Sequence, residues 1–123
     1  MTEHSDLAKR GIQAFEEILG WPAPEPKTPF GEAARDFAFG SVWARGGLDR
    51  LARRWITLTC VCAAGVEVPI RTYLSAALDC GEISEGELRE FILQFAAYQG
   101  FPRAARVELM LTEILEARAS KQG

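Results

Sequence analysis

The chain has 123 residues, 48% hydrophobic and 25% charged, a composition typical of one globular domain with a real core rather than of a disordered chain. Its formal net charge of −3 argues against a nucleic-acid partner, because phosphate binding depends on clustered Lys and Arg. No apolar run reaches the roughly 18 residues that span a bilayer, and the N-terminus MTEHSDLAKRG has no apolar signal core, so we expect a soluble, cytoplasmic protein without a membrane partner.

Two helices joined by a proline-rich loop are the first predicted elements. Ser5 or Asp6 caps a first helix, which Gly20 ends. The loop WPAPEPKTP is extended because proline cannot continue a helix. A second helix is expected over residues 29–44, before Gly46 and Gly47. Its apolar residues are Phe30, Phe37, Phe39, Val42 and Trp43.

The third predicted helix, RLARRWITLTCVCAAG, is capped by Asp49 and is apolar or small almost all round from Trp55 to Ala64. Such a helix is buried inside a bundle or at an oligomer interface. A buried strand over ITLTCVC is the alternative, but the flanking LARR and AAG favour the longer helix. We expect Arg53 and Arg54 to pair with carboxylates rather than to bind a ligand.

Three shorter patterns complete an all-α chain of about six helices. A fourth helix begins at Pro69 with Val68 as its N-cap. Ser84 and Glu87 form a capping box for a fifth helix. Pro102 suits the start of a sixth helix. The expected apolar stripe of that helix consists of Leu109, Met110, Ile114 and Leu115.

The break before the fourth helix, within GVEVPIRTYLSAALDCG, is the one candidate site for chemistry. Val68 has no side-chain acceptor, so backbone N–H groups there either bond to Glu67 or face an anionic ligand. From the pattern alone, Glu67 is a favourable charge at a helix start. Tyr73 is then a core tyrosine, and Arg71 is a solvated charge or an ion-pair partner.

The cysteines predict neither a disulfide framework nor a metal site. The chain has an odd number of cysteines, Cys60, Cys62 and Cys80, and the first two do not form a CxxC pair. We expect all three to be buried thiols that pack as small hydrophobes. The only histidine is His4, so no Cys/His zinc set exists and no metal or cofactor is expected.

Several phrases in a fixed order resemble the carboxymuconolactone decarboxylase family. They are GSVWARGGL at 40–48, an RxLVTL-type phrase at 53–58, a Glu at 67, AALDCG at 76–81 and an IxQxAxYxGFP-like phrase at 92–102. The resemblance covers residues 37–115 and leaves a first helix and proline-rich loop over 1–29 outside it. It implies one alkylhydroperoxidase-D-like domain over 1–123, all helical, and assembly into homotrimers or homohexamers.

The resemblance also implies which residues act. That superfamily includes thiol peroxidases with a CxxC pair and decarboxylases of a lactone acid without one. Glu67 matches the reactive carboxylate of the decarboxylases, whereas Tyr73 occupies the position of their histidine, six residues later. Tyrosine donates a hydrogen bond well but exchanges protons near neutral pH less readily than histidine.

The leading hypothesis is a lyase or isomerase in which Glu67 moves a proton beside the carbonyl of an anionic substrate and Tyr73 donates to the oxyanion. Arg71, Arg45 and Trp43 are the candidate substrate-binding residues. A non-catalytic ligand-binding protein is the second hypothesis. A thiol peroxidase or redox partner that uses Cys62 or Cys80 is the third.

Overall fold

The computed structural model describes residues 4–122, and every regular element within them is helical. The helices are α1 (Asp6–Leu19), α2 (Pro29–Ala33) running directly into a π-helix (Ala34–Trp43), α3 (Arg50–Ala64), α4 (Glu67–Asp79), α5 (Glu85–Gln99) and α6 (Phe101–Gln122). The predicted all-α class is confirmed. The chain divides into two compact units, Met1–Arg53 and Arg54–Gly123, and the single domain over 1–123 stays a prediction.

Side-chain caps define three helix starts where the sequence predicts them. The Ser5 hydroxyl and the Asp49 carboxylate accept first-turn N–H groups at 3.0 and 2.7 Å. At α5, the Ser84 hydroxyl accepts the Glu87 N–H at 3.1 Å, and the Glu87 carboxylate accepts the Ser84 N–H at 2.9 Å. These bonds satisfy N–H groups that have no partner inside the helix, so each start is encoded locally.

In the first unit, α1 packs against the π-helix through glycine. A Cβ added to Gly11 would lie 2.0 Å from the carbonyl oxygen of Arg35, and one added to Gly40 would lie 2.8 Å from that of Leu7. The ring of Phe15 contacts that of Phe39 at a centroid distance of 5.0 Å. The backbones of α1 and the π-helix are in direct contact at these positions, so neither glycine has room for a side chain.

The second helix differs from its prediction in hydrogen-bond pattern and in burial. Only residues 29–33 are α-helical, and the N–H of Ala44 still bonds the carbonyl of Phe39 in the wider i→i+5 pattern at 3.1 Å. Phe30 and Phe37 are exposed, whereas Phe39 is buried. Hydrophobic periodicity predicts a helix here but does not distinguish an α-helical from a π-helical register.

The second unit contains one hydrophobic core, to which α3, α4, α5 and α6 all contribute. Its buried apolar residues are Leu58, Cys62, Ile70, Leu74, Ala77, Ile83, Leu88, Ile92, Phe95, Ala96, Ala104, Val107, Met110 and Leu111. In α6 the predicted stripe is wrong at Leu109, which is 60% exposed, because the buried face runs through Val107 and Leu111 instead.

Helix α3 is less buried within this single chain than its composition predicts. Leu58 and Cys62 are buried, but Ile56 is 51% exposed. Other large exposed apolar side chains of the second unit are Val66, Val68, Leu93, Tyr98, Phe101 and Leu109. A homotrimer or homohexamer would cover such surface, and assembly stays a prediction that sedimentation at micromolar concentration tests.

Candidate active site

The α3–α4 junction is a tight turn centred on Gly65. This residue has φ +74°, and its N–H bonds the carbonyls of Val61 and Cys62 at 3.1 and 3.2 Å. Val66 follows in an extended conformation, and α4 begins at Glu67. The predicted N-cap, Val68, is therefore wrong by two residues. Pro69 lies inside the first turn, where its missing N–H removes no helical hydrogen bond.

The start of α4 lacks a side-chain cap, as predicted, although the N-cap is Val66. Glu67 does not fold back onto the helix end. Its side chain is 53% exposed and bonds Arg71 one turn later instead. The uncapped helix start and the carboxylate therefore lie side by side, each accessible to a small molecule.

Arg71 joins two carboxylates on different helices. Its Nε donates to Oε1 of Glu67 at 3.0 Å, and its Nη2 donates to Oε1 of Glu113 in α6 at 2.7 Å. The hydrogen bonds from Glu113 and then from Glu67 raise the pKa of Arg71. The structure thus brings Arg71 to Glu67 as an ion-pair partner, which is one of the two roles that the pattern alone predicts.

Tyr73 is half-buried and lies against the core of the second unit. Burial raises the pKa of its phenol, and the positive charge of Arg54 opposes that shift. Six residues turn an α-helix by about 600° and advance it by about 9 Å. Glu67 and Tyr73 consequently lie on different sides of α4, and no hydrogen bond joins them among the bonds of residues 4–122.

A buried cation lies beside this tyrosine. Arg54 is 0% exposed, and its Nε donates to Oε2 of Glu82 at 3.0 Å. The prediction of a carboxylate partner is confirmed for Arg54. Arg53 instead donates to the carbonyl oxygen of Gly46 at 2.8 Å. Removal of Glu82 would take away this carboxylate from the positive charge of Arg54, which lies in a poorly solvated position.

A cavity of about 350 Å³ opens at the junction. Its walls are the end of α3, the start of α4 and the first turn of α6. The lining residues are Cys62, Ala64, Gly65, Ile70, Pro102, Arg103 and Arg106. Gly65 and Ile70 lie on either side of Glu67 in the chain, so the cavity adjoins the start of α4, but neither Glu67 nor Tyr73 is among its lining residues.

Sequence reasoning missed the two arginines of this cavity. Arg103 and Arg106 are one turn apart on α6, and a guanidinium nitrogen of Arg103 donates to the carbonyl oxygen of Ala63 near the end of α3. The available signal was the pair of cations in FPRAAR, directly after Gly100. Such a pair marks a binding site only if another element lies opposite it.

The remaining predicted residues, Trp43 and Arg45, belong to the first unit. The partly buried Trp43 lines a different cavity of about 250 Å³ with residues including Glu17 and Arg50. Arg45 is exposed, and its carbonyl oxygen accepts from Arg53 at 3.4 Å. Their substrate-binding role stays a prediction.

The three cysteines differ in solvent exposure, whereas the sequence predicts that all three are buried. Cys62 is buried and Cys80 is partly buried, but Cys60 is exposed, because it faces away from the buried side of α3. Burial raises the pKa of Cys62 from 9.0 to about 12. A thiol, unlike a thiolate, is a poor nucleophile, so Cys62 is unsuited to peroxide chemistry.

The raised pKa of Cys62 predicts a loss of stability at alkaline pH. Below pH 9 this cysteine is protonated in both folded and unfolded chains. Between pH 9 and about 12 the unfolded chain loses the proton first, so the free energy of unfolding falls as pH rises. We expect urea unfolding of Cys62→Ala to show a shallower fall than wild type, whereas exposed Cys60→Ala should retain the wild-type slope. If the free energy of unfolding falls equally steeply with pH in all three proteins, burial does not raise the pKa of Cys62.

Among residues 4–122, no group of three or more His, Cys, Asp or Glu side chains is arranged to hold a metal ion. Within the same range, no helix combines the length and the apolarity needed to cross a membrane.

Comparison with known proteins assigns the class. The model of the carboxymuconolactone decarboxylase family matches residues 28–113, and the chain belongs to this family. It is 30% identical to a 4-carboxymuconolactone decarboxylase of Acinetobacter baylyi, over 88% of this chain and 86% of that protein. It is 28% identical to the nitrosuccinic acid decarboxylase npaB of Metarhizium robertsii, over 96% of this chain and 87% of that protein. The chain is a decarboxylase-like member of its family.

Proposed function

We propose that the protein decarboxylates a small organic acid that carries a carbonyl, lactone or comparable electron-accepting group. The observation that carries this proposal is the cavity at the α3–α4 junction, whose lining residues Gly65 and Ile70 flank Glu67. The relatives named as decarboxylases of 4-carboxymuconolactone and of nitrosuccinic acid support the same reaction class.

The proposed chemistry needs an electron acceptor and one proton. The bond between the carboxylate carbon and its neighbour breaks, and CO₂ leaves. The electron pair passes to the adjacent electron-accepting group, which becomes an oxyanion. A proton is then added to the carbon, so each turnover consumes one proton. Glu67 takes this proton from solvent and delivers it, which its half-exposed carboxylate permits.

Tyr73 supplies the hydrogen bond to the oxyanion in this proposal. The burial that raises the pKa of the phenol keeps it protonated throughout the neutral range, as a hydrogen-bond donor must be. Because Tyr73 lies about 9 Å further along α4 than Glu67 and on a different side of the helix, a substrate that contacts both must extend around the first two turns of α4.

Arg71 acts on Glu67 rather than on the substrate in this proposal. Its two hydrogen-bond partners, Glu67 and Glu113, are carboxylates of the protein itself. Such a clamp orients the Glu67 carboxylate while leaving its second oxygen available. Arg71 is therefore a positioning residue.

The test is CO₂ release from 4-carboxymuconolactone, nitrosuccinic acid and related acids. We expect turnover of at least one, and Tyr73→Phe should lower kcat by about 10²-fold, because one oxyanion donor is lost. Tyr98→Phe is the matched control, since Tyr98 is 80% exposed on α5. Wild-type kcat in Tyr73→Phe would remove the tyrosine from the mechanism, and absence of CO₂ from every acid would overturn the reaction class.

A ligand-binding protein without turnover is the second candidate. The observation in its favour is the engagement of Glu67 with Arg71 at 2.9 Å, which holds the proposed proton carrier in an ion pair. Ligand binding at the junction without CO₂ release would favour this candidate. The thiol-peroxidase alternative is not supported at Cys62, because this thiol is buried and its pKa is raised to about 12.

A further inference from the structure

The junction cavity has a cationic side and an apolar side. Arg103 and Arg106 extend from the first turns of α6, whereas Cys62, Ala64 and Ile70 come from α3 and α4. Cys62 belongs with the apolar group, because its buried thiol stays neutral. A volume of about 350 Å³ is near the lower end for small-molecule sites.

The two cavity arginines differ from the other arginines of the second unit. That unit contains six, and within the described residues four of them pair with carboxylates. The four are Arg54, Arg71, Arg89 and Arg118. Arg103 bonds a backbone carbonyl, and the described residues provide no carboxylate partner for either Arg103 or Arg106. The two uncompensated cations thus both face the same cavity.

Arg103 is held in place before any ligand arrives. Its bond to the carbonyl oxygen of Ala63 fixes one guanidinium nitrogen at the end of α3 and leaves other N–H donors for a ligand. Arg106 lies three residues later, on the same side of α6. Two guanidinium groups one turn apart match a carboxylate, which accepts two parallel hydrogen bonds.

The reaction decides which carboxylate these arginines bind. A carboxylate that becomes CO₂ loses its negative charge, so an ion pair to it would stabilise the substrate more than the transition state and slow the step. Arginines in a decarboxylase cavity therefore favour a carboxylate that the product retains. The apolar side, with Cys62 and Ile70, is where the departing carboxylate loses solvation.

We propose that Arg103 and Arg106 form a binding site for the retained carboxylate, and that they orient the substrate with its departing carboxylate toward Cys62 and Ile70. This inference rests on the proposed function for the orientation, but the binding site is testable without turnover. It selects acids that carry a second anionic group besides the one that is lost.

The binding experiment uses succinate as an unreactive dicarboxylate and propionate as its monocarboxylate counterpart, in titration calorimetry at low ionic strength. We expect both acids to bind through one carboxylate at Arg103 and Arg106, and succinate to bind no more tightly than propionate, because its second carboxylate loses solvation on the apolar side. Arg106→Gln should weaken succinate binding about 10–100-fold, the usual range for a charge-assisted pair, and Arg106→Lys should restore part of it. Lys121→Gln is the matched control, because it removes one positive charge from an exposed position of the same helix.

The outcomes separate the binding site from the reaction. Succinate binding that Arg106→Gln weakens, without CO₂ release from any acid, supports the site and overturns the proposed function. CO₂ release with equal succinate binding by wild type and Arg106→Gln overturns the site and leaves the function standing. With an acid that turns over, the site predicts a higher KM and a nearly unchanged kcat in Arg106→Gln. An unchanged KM would also overturn it.

Discussion

Replacing Glu67 with Gln is expected to lower kcat about 10²–10⁴-fold, the usual contribution of a positioned acid–base group. Glutamine preserves the size and a hydrogen-bond acceptor for Arg71, but it cannot carry the proton that decarboxylation consumes. The measurement is CO₂ release under saturating substrate, with circular dichroism to check that the variant is folded.

The matched control for this variant is Glu113→Gln. Glu113 is the other carboxylate bound by Arg71, and its side chain is 48% exposed, close to the 53% of Glu67. Both substitutions therefore remove one negative charge beside the same guanidinium. We expect Glu113→Gln to retain kcat within about threefold, because a surface ion pair contributes little by itself. Equal losses in the two variants would mean that the ion-pair network matters and proton transfer by Glu67 does not.

Replacing Gly11 with Ala is expected to lower the free energy of unfolding by about 3 kcal/mol, at the upper end of the cost of overpacking a core. The new Cβ would lie 2.0 Å from the carbonyl oxygen of Arg35, a backbone atom that moves only if the π-helix moves. This cost exceeds the roughly 1 kcal/mol that alanine gains over glycine as a helix former. Urea unfolding followed by far-ultraviolet circular dichroism measures the difference.

Gly86→Ala is the control for this substitution. Gly86 also lies in a helix, but a Cβ there would meet only the Ser84 hydroxyl oxygen, at 3.9 Å. We expect its free energy of unfolding to be unchanged or slightly higher, because the substitution reduces the freedom of the unfolded chain. If Gly11→Ala unfolds at the same urea concentration as wild type, the close packing of α1 on the π-helix is wrong.

The helix boundaries show where local reasoning succeeds. Ser5, Asp49 and Ser84 cap their helices as predicted, because a cap bonds N–H groups only two or three residues away. The start of α4 is wrong by two residues, since proline is acceptable anywhere in the first turn and valine provides no cap to mark the boundary. The π-helical pattern of Ala34–Trp43 also lies beyond the sequence signal.

The candidate site likewise contains some residues that the sequence predicts and others that it does not. The junction, Glu67 and its i, i+4 partner Arg71 follow from spacing along one helix. The sequence does not predict Arg103 and Arg106 as site residues. Only the structure shows that they line the same cavity as residues from the end of α3. The exposure of Cys60 and Leu109 likewise contradicts patterns that identify an apolar helix but not its buried side.

By itself, the sequence determined the all-α class, the three side-chain caps, the break at Gly65 with Glu67 beside it, and the family resemblance. These depend on interactions within one turn of the chain or on the order of motifs along it. Only the tertiary structure decided that Arg54 is buried against Glu82, that Gly11 meets the backbone of Arg35, and that two uncompensated arginines face the junction. Each of these joins residues from separate elements, and that proximity depends on how the helices pack.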